Sequence, residues 1–107
     1  MKVGQYDVVL VNLDPTVGSE IRKTRPCVII SPKELNRNLN TVVVAPMTTN
    51  MRNYPTRINV KFNERQGKIA VDQIRTIDKK RIAKVIGKIT TNEVKILKET
   101  IRQTYVD

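Results

Sequence analysis

Short runs of β-branched residues, each cut off by a proline, a glycine or a polar cluster, constrain this chain more than any other feature. Residues 6–13 (YDVVLVNL), 27–31 (CVIIS) and 41–45 (TVVVA) are too short for stable helices and rich in Val, which suits a pleated, half-buried surface. Pro32 closes the second run and Pro46 stops the third. Residues 56–62 alternate, with Ile58, Val60 and Phe62 on one face and Arg57, Asn59 and Lys61 on the other. Gln66 and Gly67 supply a turn with a residue tolerant of positive φ. Residues 68–71 then read as a short fifth strand running into 72–77, residues 78–81 as a turn, and 83–89 as a further strand.

The last element is a helix. Thr90 and Glu93 have capping-box spacing, and Ile89 and Val94 are placed as its hydrophobic staple. Val94, Leu97, Ile101 and Tyr105 recur at helical spacing, with Lys95, Lys98, Glu99 and Arg102 on the opposite face. Short strands followed by one amphipathic helix predict a mainly β (α+β) fold, a small antiparallel barrel or strongly curled sheet with a C-terminal helix. No repeat or linker interrupts the 107 residues, which read as a single domain over 1–107. With 4% aromatic content, its core must be aliphatic.

If the first five strands form an antiparallel meander, several polar segments share one rim. These are the loop 14–25, residues 46–50, Tyr54-Pro55-Thr56 and Asp72-Gln73. Arg25 stands at the entrance to the second strand, and Pro26 restricts its backbone to extended conformations. A guanidinium held at a fixed strand entrance suits an anion.

Charge points the same way. Lys and Arg number 20 against 10 Asp and Glu, a formal net charge of +10, which implies an acidic partner such as nucleic acid or an acidic protein. The sequence has no histidine, which removes the commonest general base and the usual ligand of catalytic zinc. Cys27 is the only cysteine and reads as a small core hydrophobe. No P-loop, dinucleotide fingerprint or metal-ligand spacing is present, so neither a cofactor nor a metal is expected. Without a long apolar segment or a leader-like N-terminus, the expected setting is the cytoplasm, with no membrane role.

The rim inventory is Arg25, Glu20, Asp72, Ser19, Thr48, Thr49, Asn50 and Gln73, a set suited to phosphates and base edges. Such a set can cleave RNA, because the 2′-OH supplies the nucleophile. The protein need only orient the phosphodiester, stabilise its extra charge and help move protons. Arg25 suits the electrostatic part, while Glu20 or Asp72 is the better base if its pKa is raised. Tyr54 is the best-placed aromatic for stacking a base.

The strings DPTVGSE, KTRPCVIISP, VAPMTT, YPTR and DQIRTIDKKRI occur in that order, and together they resemble the MazF/PemK family of toxin ribonucleases. The resemblance implies an SH3-like β-barrel that forms a homodimer. It also implies a metal-independent endoribonuclease that cuts single-stranded mRNA at short sequences, leaving 2′,3′-cyclic phosphate and 5′-hydroxyl ends and halting translation. By the same likeness Arg25 and Thr48 are the catalytic pair, with Glu20 a candidate for proton transfer. Ser19, Glu20, Thr49, Asn50, Asp72, Gln73 and Arg75 line the RNA channel. The implied partner besides RNA is a cognate antitoxin, MazE-like, with an acidic disordered tail. Some relatives carry a histidine at the position of Ser19 and an arginine at that of Ala70; their absence here puts Arg25 and Thr48 in the leading role. Two other readings fit the same charge: a nucleic-acid-binding barrel without catalysis, and a toxin of similar fold acting on gyrase.

Overall fold

The structure, a computed structural model, describes residues 2–12 and 24–106. Its strands are β1 (Asp7–Asn12), β2 (Thr24–Ile29), β3 (Thr41–Thr48), β4 (Arg57–Phe62), β5 (Arg65–Ala70), β6 (Arg75–Asp78) and β7 (Ile82–Lys88). A short helix, α1 (Lys33–Asn38), joins β2 to β3, and the longer α2 (Thr91–Ile101) follows β7. All pairings are antiparallel, in the order β4-β5-β3-β2-β1-β7. β6 continues along β3 on the edge that β5 also uses, with Val44 opposite Arg75 and Thr48 opposite Lys68. The result is a strongly curled, mostly β half-barrel carrying a C-terminal helix. No helix among the described residues is long and apolar enough to cross a membrane.

The β-branched runs fill both faces of the curl. One cluster inside it gathers Val9, Val11, Cys27, Ile29, Val42, Val44, Ile77 and Ile82. The alternate residues Val8, Val28, Ala45 and Met47 join Ile58, Val60, Ile69 and Val71 on the other face, where Leu97 of α2 completes the cluster. This two-sided burial explains why residues 41–45 read as a continuous apolar run instead of alternating. α2 begins with the expected capping box: Glu93 N donates to Thr90 Oγ1 at 3.1 Å, and Thr90 N donates to Glu93 Oε1 at 2.8 Å. The second oxygen of Glu93 accepts from Lys61 N, tying the helix start to β4. Tyr105 donates its hydroxyl to Val71 O, anchoring the end of the chain beside the sheet.

Three sequence expectations about strand order and ends are corrected. The strands are not a simple meander, because β5 lies between β3 and β4. The tight connection is at Asn63 and Glu64, both at positive φ, which joins β4 directly to β5 while the longer 49–56 segment crosses back. Gln66 and Gly67 are therefore inside β5 and form no turn. Register decided this, since pairing Ile58 with Ile69 and Val60 with Gly67 keeps the apolar side chains on one face. Pro46 does not end β3, which runs on to Thr48. It sits where β3 passes from its ladder with β2 to its ladder with β5, a place where a missing N–H is tolerated.

Candidate functional site

Arg25 and Thr48 extend from paired strands. Cys27, two residues after Arg25, is opposite Pro46, two residues before Thr48, and the β2–β3 ladder runs from that pair to Ile29 opposite Val44. Arg25 is in the second residue of β2, beyond the buried Cys27-Val28-Ile29 run, so its charge stays in solvent while its backbone is held by β1 at Val11. Arg75 is paired with Val44 on the far edge of β3. The fields of Arg25 and Arg75 both reach the Cys27 thiol and pull its pKa down, yet burial dominates and pushes it up to about 12. Cys27 is thus an inert core thiol, as its place in the apolar run implied, and a witness that the two arginines share a neighbourhood.

Thr48 is half-buried and its hydroxyl is already oriented. Its Oγ1 accepts from Asn50 N at 3.1 Å, which leaves the hydroxyl hydrogen to be donated elsewhere. Asn50 in turn accepts from Arg52 N at 3.1 Å through Oδ1, so the segment after β3 is folded by its own side chains. Gly67 fixes Thr48 from the neighbouring strand. A Cβ there would stand 2.9 Å from Thr48 O, so only glycine lets β5 come this close.

Asp72 is committed to a clamp. Arg57 Nε and Nη2 donate to its two oxygens at 2.7 and 3.1 Å, and Thr56 Oγ1 donates to Oδ1 at 2.9 Å. The hydrogen bond from Arg57 is the main reason its carboxyl falls to about 2. A carboxylate held that low is a poor proton acceptor near neutrality, so Asp72 does not meet the condition of a raised pKa that a base here would need. The Arg57 guanidinium also sits 5.4 Å from the centre of the Tyr54 ring. Tyr54 is exposed, so it keeps surface for stacking while Arg57 holds the ring.

Of the residues expected from sequence, Arg25 and Arg75 both lie near the Cys27 thiol, Thr48 is on β3 four residues beyond the partner of Arg75, Thr49 and Asn50 are exposed just beyond Thr48, and Gln73 is exposed between Asp72 and Arg75. Ser19 and Glu20 lie outside the described residues. Sequence reading missed Arg57, although the string YPTR contains it and its place on the polar face of β4 was the available signal. It also missed Lys68, which an apolar-looking strand concealed. Among the described residues, no three His, Cys, Asp or Glu side chains gather as metal ligands.

Residues 4–105 match the family model described as PemK-like, MazF-like toxin of type II toxin–antitoxin system. The endoribonuclease toxin MazF of Escherichia coli K12 is 32% identical over 96 residues, 89% of this chain and 86% of that protein. A mycobacterial endoribonuclease solved with its cognate antitoxin superposes with a TM-score of 0.80 at 21% identity, covering 95% of this chain and 93% of its own. A MazE–MazF structure from Deinococcus radiodurans gives a TM-score of 0.81 at 18% identity, covering 94% and 93%. At those identities the two structures speak for the fold.

Proposed function

The chain belongs to the PemK-like, MazF-like toxin family of type II toxin–antitoxin systems and is an endoribonuclease of that family, and from this premise we propose that it cuts single-stranded RNA at the Arg25–Thr48 face without a metal. The observation that supports the reading is the β2–β3 register, in which Cys27, two residues after Arg25, lies opposite Pro46, two residues before Thr48.

In the proposed reaction a ribose 2′-oxygen attacks the adjacent phosphorus and loses its proton. The bond from phosphorus to the 5′-oxygen breaks, and that oxygen gains a proton. The products are a 2′,3′-cyclic phosphate and a 5′-hydroxyl. Charge on the non-bridging oxygens rises in the transition state, where the permanently charged Arg25 fork stabilises it and the free Thr48 hydrogen donates to one oxygen. Arg25 is a poor base because a guanidinium does not readily lose its proton. Asp72 is held too acidic, which leaves Glu20 or a water to accept the 2′ proton. Thr49, Asn50 and Gln73 are exposed around this face and suit hydrogen bonds to splayed bases, as do Ser19 and Glu20 by their place in the GSE motif. The net charge of +10 also suits an acidic antitoxin tail, like the cognate antitoxin in the mycobacterial complex, and a homodimer would join two such faces.

The test is a long, weakly structured RNA incubated with the protein in EDTA, with mapping of new 5′ ends. Wild type is expected to cut, and Arg25→Ala to lose on the order of 10²–10³-fold in rate while staying folded. Intact RNA with the wild type, or cutting only after metal is added, would overturn the reading.

A further inference from the structure

Lys68 breaks the pattern of its strand. Its neighbours Ile69 and Ala70 are buried and apolar, while Arg65 and Gln66 are exposed, yet Lys68 as a residue keeps only 4% exposure. An ammonium taken out of water without an anion is among the costlier placements in a fold. Lys68 Nζ donates to Asn53 Oδ1 at 2.9 Å, and among the described residues no Asp or Glu forms an ion pair with it. An ammonium has three donors, and Asn53 takes one.

Its position gives that charge a use. Lys68 is the ladder partner of Thr48, so the two side chains leave the same face of the sheet with Cβ atoms about 4.5–5.5 Å apart. Asn59 completes the row from β4. Asn53 belongs to the segment that starts at Thr48, so the bond to Lys68 pins that segment over β5. A mere strut between strand and loop would be better served by a neutral donor or an apolar side chain, since neither brings an uncompensated charge into the interior.

We propose that Lys68 is an RNA-binding residue of the RNA-cutting face, whose positive charge beside Thr48 holds a backbone phosphate of single-stranded RNA next to that threonine. Among the described residues no carboxylate pairs with it, and the substrate supplies the anion; Asn53 keeps the ammonium aligned in the meantime. The inference rests on the RNA-cutting reading above and adds to it a cation that touches the substrate.

Lys68→Met keeps the buried stem and removes the charge, and Lys68→Arg keeps the charge. Both are compared with wild type for urea midpoint, for kcat/KM on a short single-stranded RNA across a salt series, and for binding of the same RNA with a 2′-deoxy sugar at the cut. Lys68→Met is expected to be at least as stable as wild type and to lose about 10–100-fold in kcat/KM at low salt. Its plot of log binding constant against log salt should be shallower by about 0.7, the loss of one phosphate contact to a single strand. Lys68→Arg should recover most of the activity. Wild-type cutting and salt slope in Lys68→Met would overturn the inference and leave the RNA-cutting reading intact. A Lys68→Met variant that unfolds would make the residue a strut, with the same consequence. If the wild type itself leaves RNA uncut, both fall together.

Discussion

The two faces of β4 and β5 are held by different forces. Near α2, Ile58, Val60 and Ile69 pack with the fully buried Leu97, and a single capping box fixes where the helix starts. Around residues 49–57 there is almost no apolar burial: Thr48, Asn50, Arg52, Tyr54, Arg57 and Asp72 are linked in succession by hydrogen bonds and one cation–π contact, mostly in solvent. The first arrangement derives its stability from area removed from water, about 1.5–3 kcal/mol for a side chain such as Leu97. The second contributes little stability per bond, since exposed hydrogen bonds exchange with water at nearly equal free energy. Stability and chemistry are thereby separated within one sheet, and substitutions at the two faces should fail in different ways.

The largest expected effect is at the helix. Leu97→Ala should cost about 2–5 kcal/mol in urea unfolding, a large part of the 5–15 kcal/mol typical of a domain. Cutting by the fraction that remains folded should be unchanged. A fall in kcat in fully folded Leu97→Ala protein would show that the two faces are coupled.

Gly67 is where the two regimes meet, so Gly67→Ala should register in both. The new Cβ would stand 2.9 Å from Thr48 O, and backbone must move to admit it. Overpacking of this kind costs about 1–3 kcal/mol. A displaced Thr48 should lower kcat by up to about 10²-fold, because a misplacement near 1 Å has that effect on aligned groups. If kcat holds while stability falls, the position of the Thr48 backbone does not matter to the reaction.

The helix-packed face was legible in the sequence and the polar face only in part. Thr90, Glu93, Val94, Leu97 and Ile101 follow local rules of spacing, which need no knowledge of the rest of the chain. The sheet order was not local. Asn63 and Glu64 carry no strong turn signal, and Gly67 advertised a turn it does not make, because its lack of a Cβ serves a close approach from β3 instead. Pro46 misled for a related reason: the partner that β3 changes at that point is set by tertiary pairing. Arg25 and Thr48 could be named from their strings, but their placement on paired strands depends on the β2–β3 register. Lys68 was invisible, since a lysine in a short β run ordinarily faces water, and only the 49–56 segment folded over it makes it buried.

A smaller effect should follow from Thr90→Ala, which removes one half of the capping box. About 1 kcal/mol is expected from urea midpoints. RNA cutting should not change, because the bonds of the cap go to Lys61 N and to the backbone of the helix start, and none goes to Thr48. A cutting defect here would mean that the start of α2 reaches the RNA.

The smallest effect should be at Asp72, and it should appear only in acid. The folded carboxyl titrates at about 2, below its ordinary 3.8, mainly because Arg57 donates to it. Between those values the unfolded chain binds the proton more readily than the folded one. The clamp therefore contributes fully above about pH 4 and loses its contribution as pH falls toward 2. The Asp72 side chain is 36% exposed and that of Arg57 11%, so solvent screening keeps the contribution on the scale of a surface ion pair, about 0–1 kcal/mol. Urea midpoints of wild type and Asp72→Asn should differ by a constant amount from pH 7 to pH 4 and converge below it. A difference at neutral pH as large as that of Leu97→Ala would break the contrast between the two faces, because the polar clamp would then be as structural as the helix. Convergence starting well above pH 4 would mean that Arg57 does not hold the carboxyl down in solution.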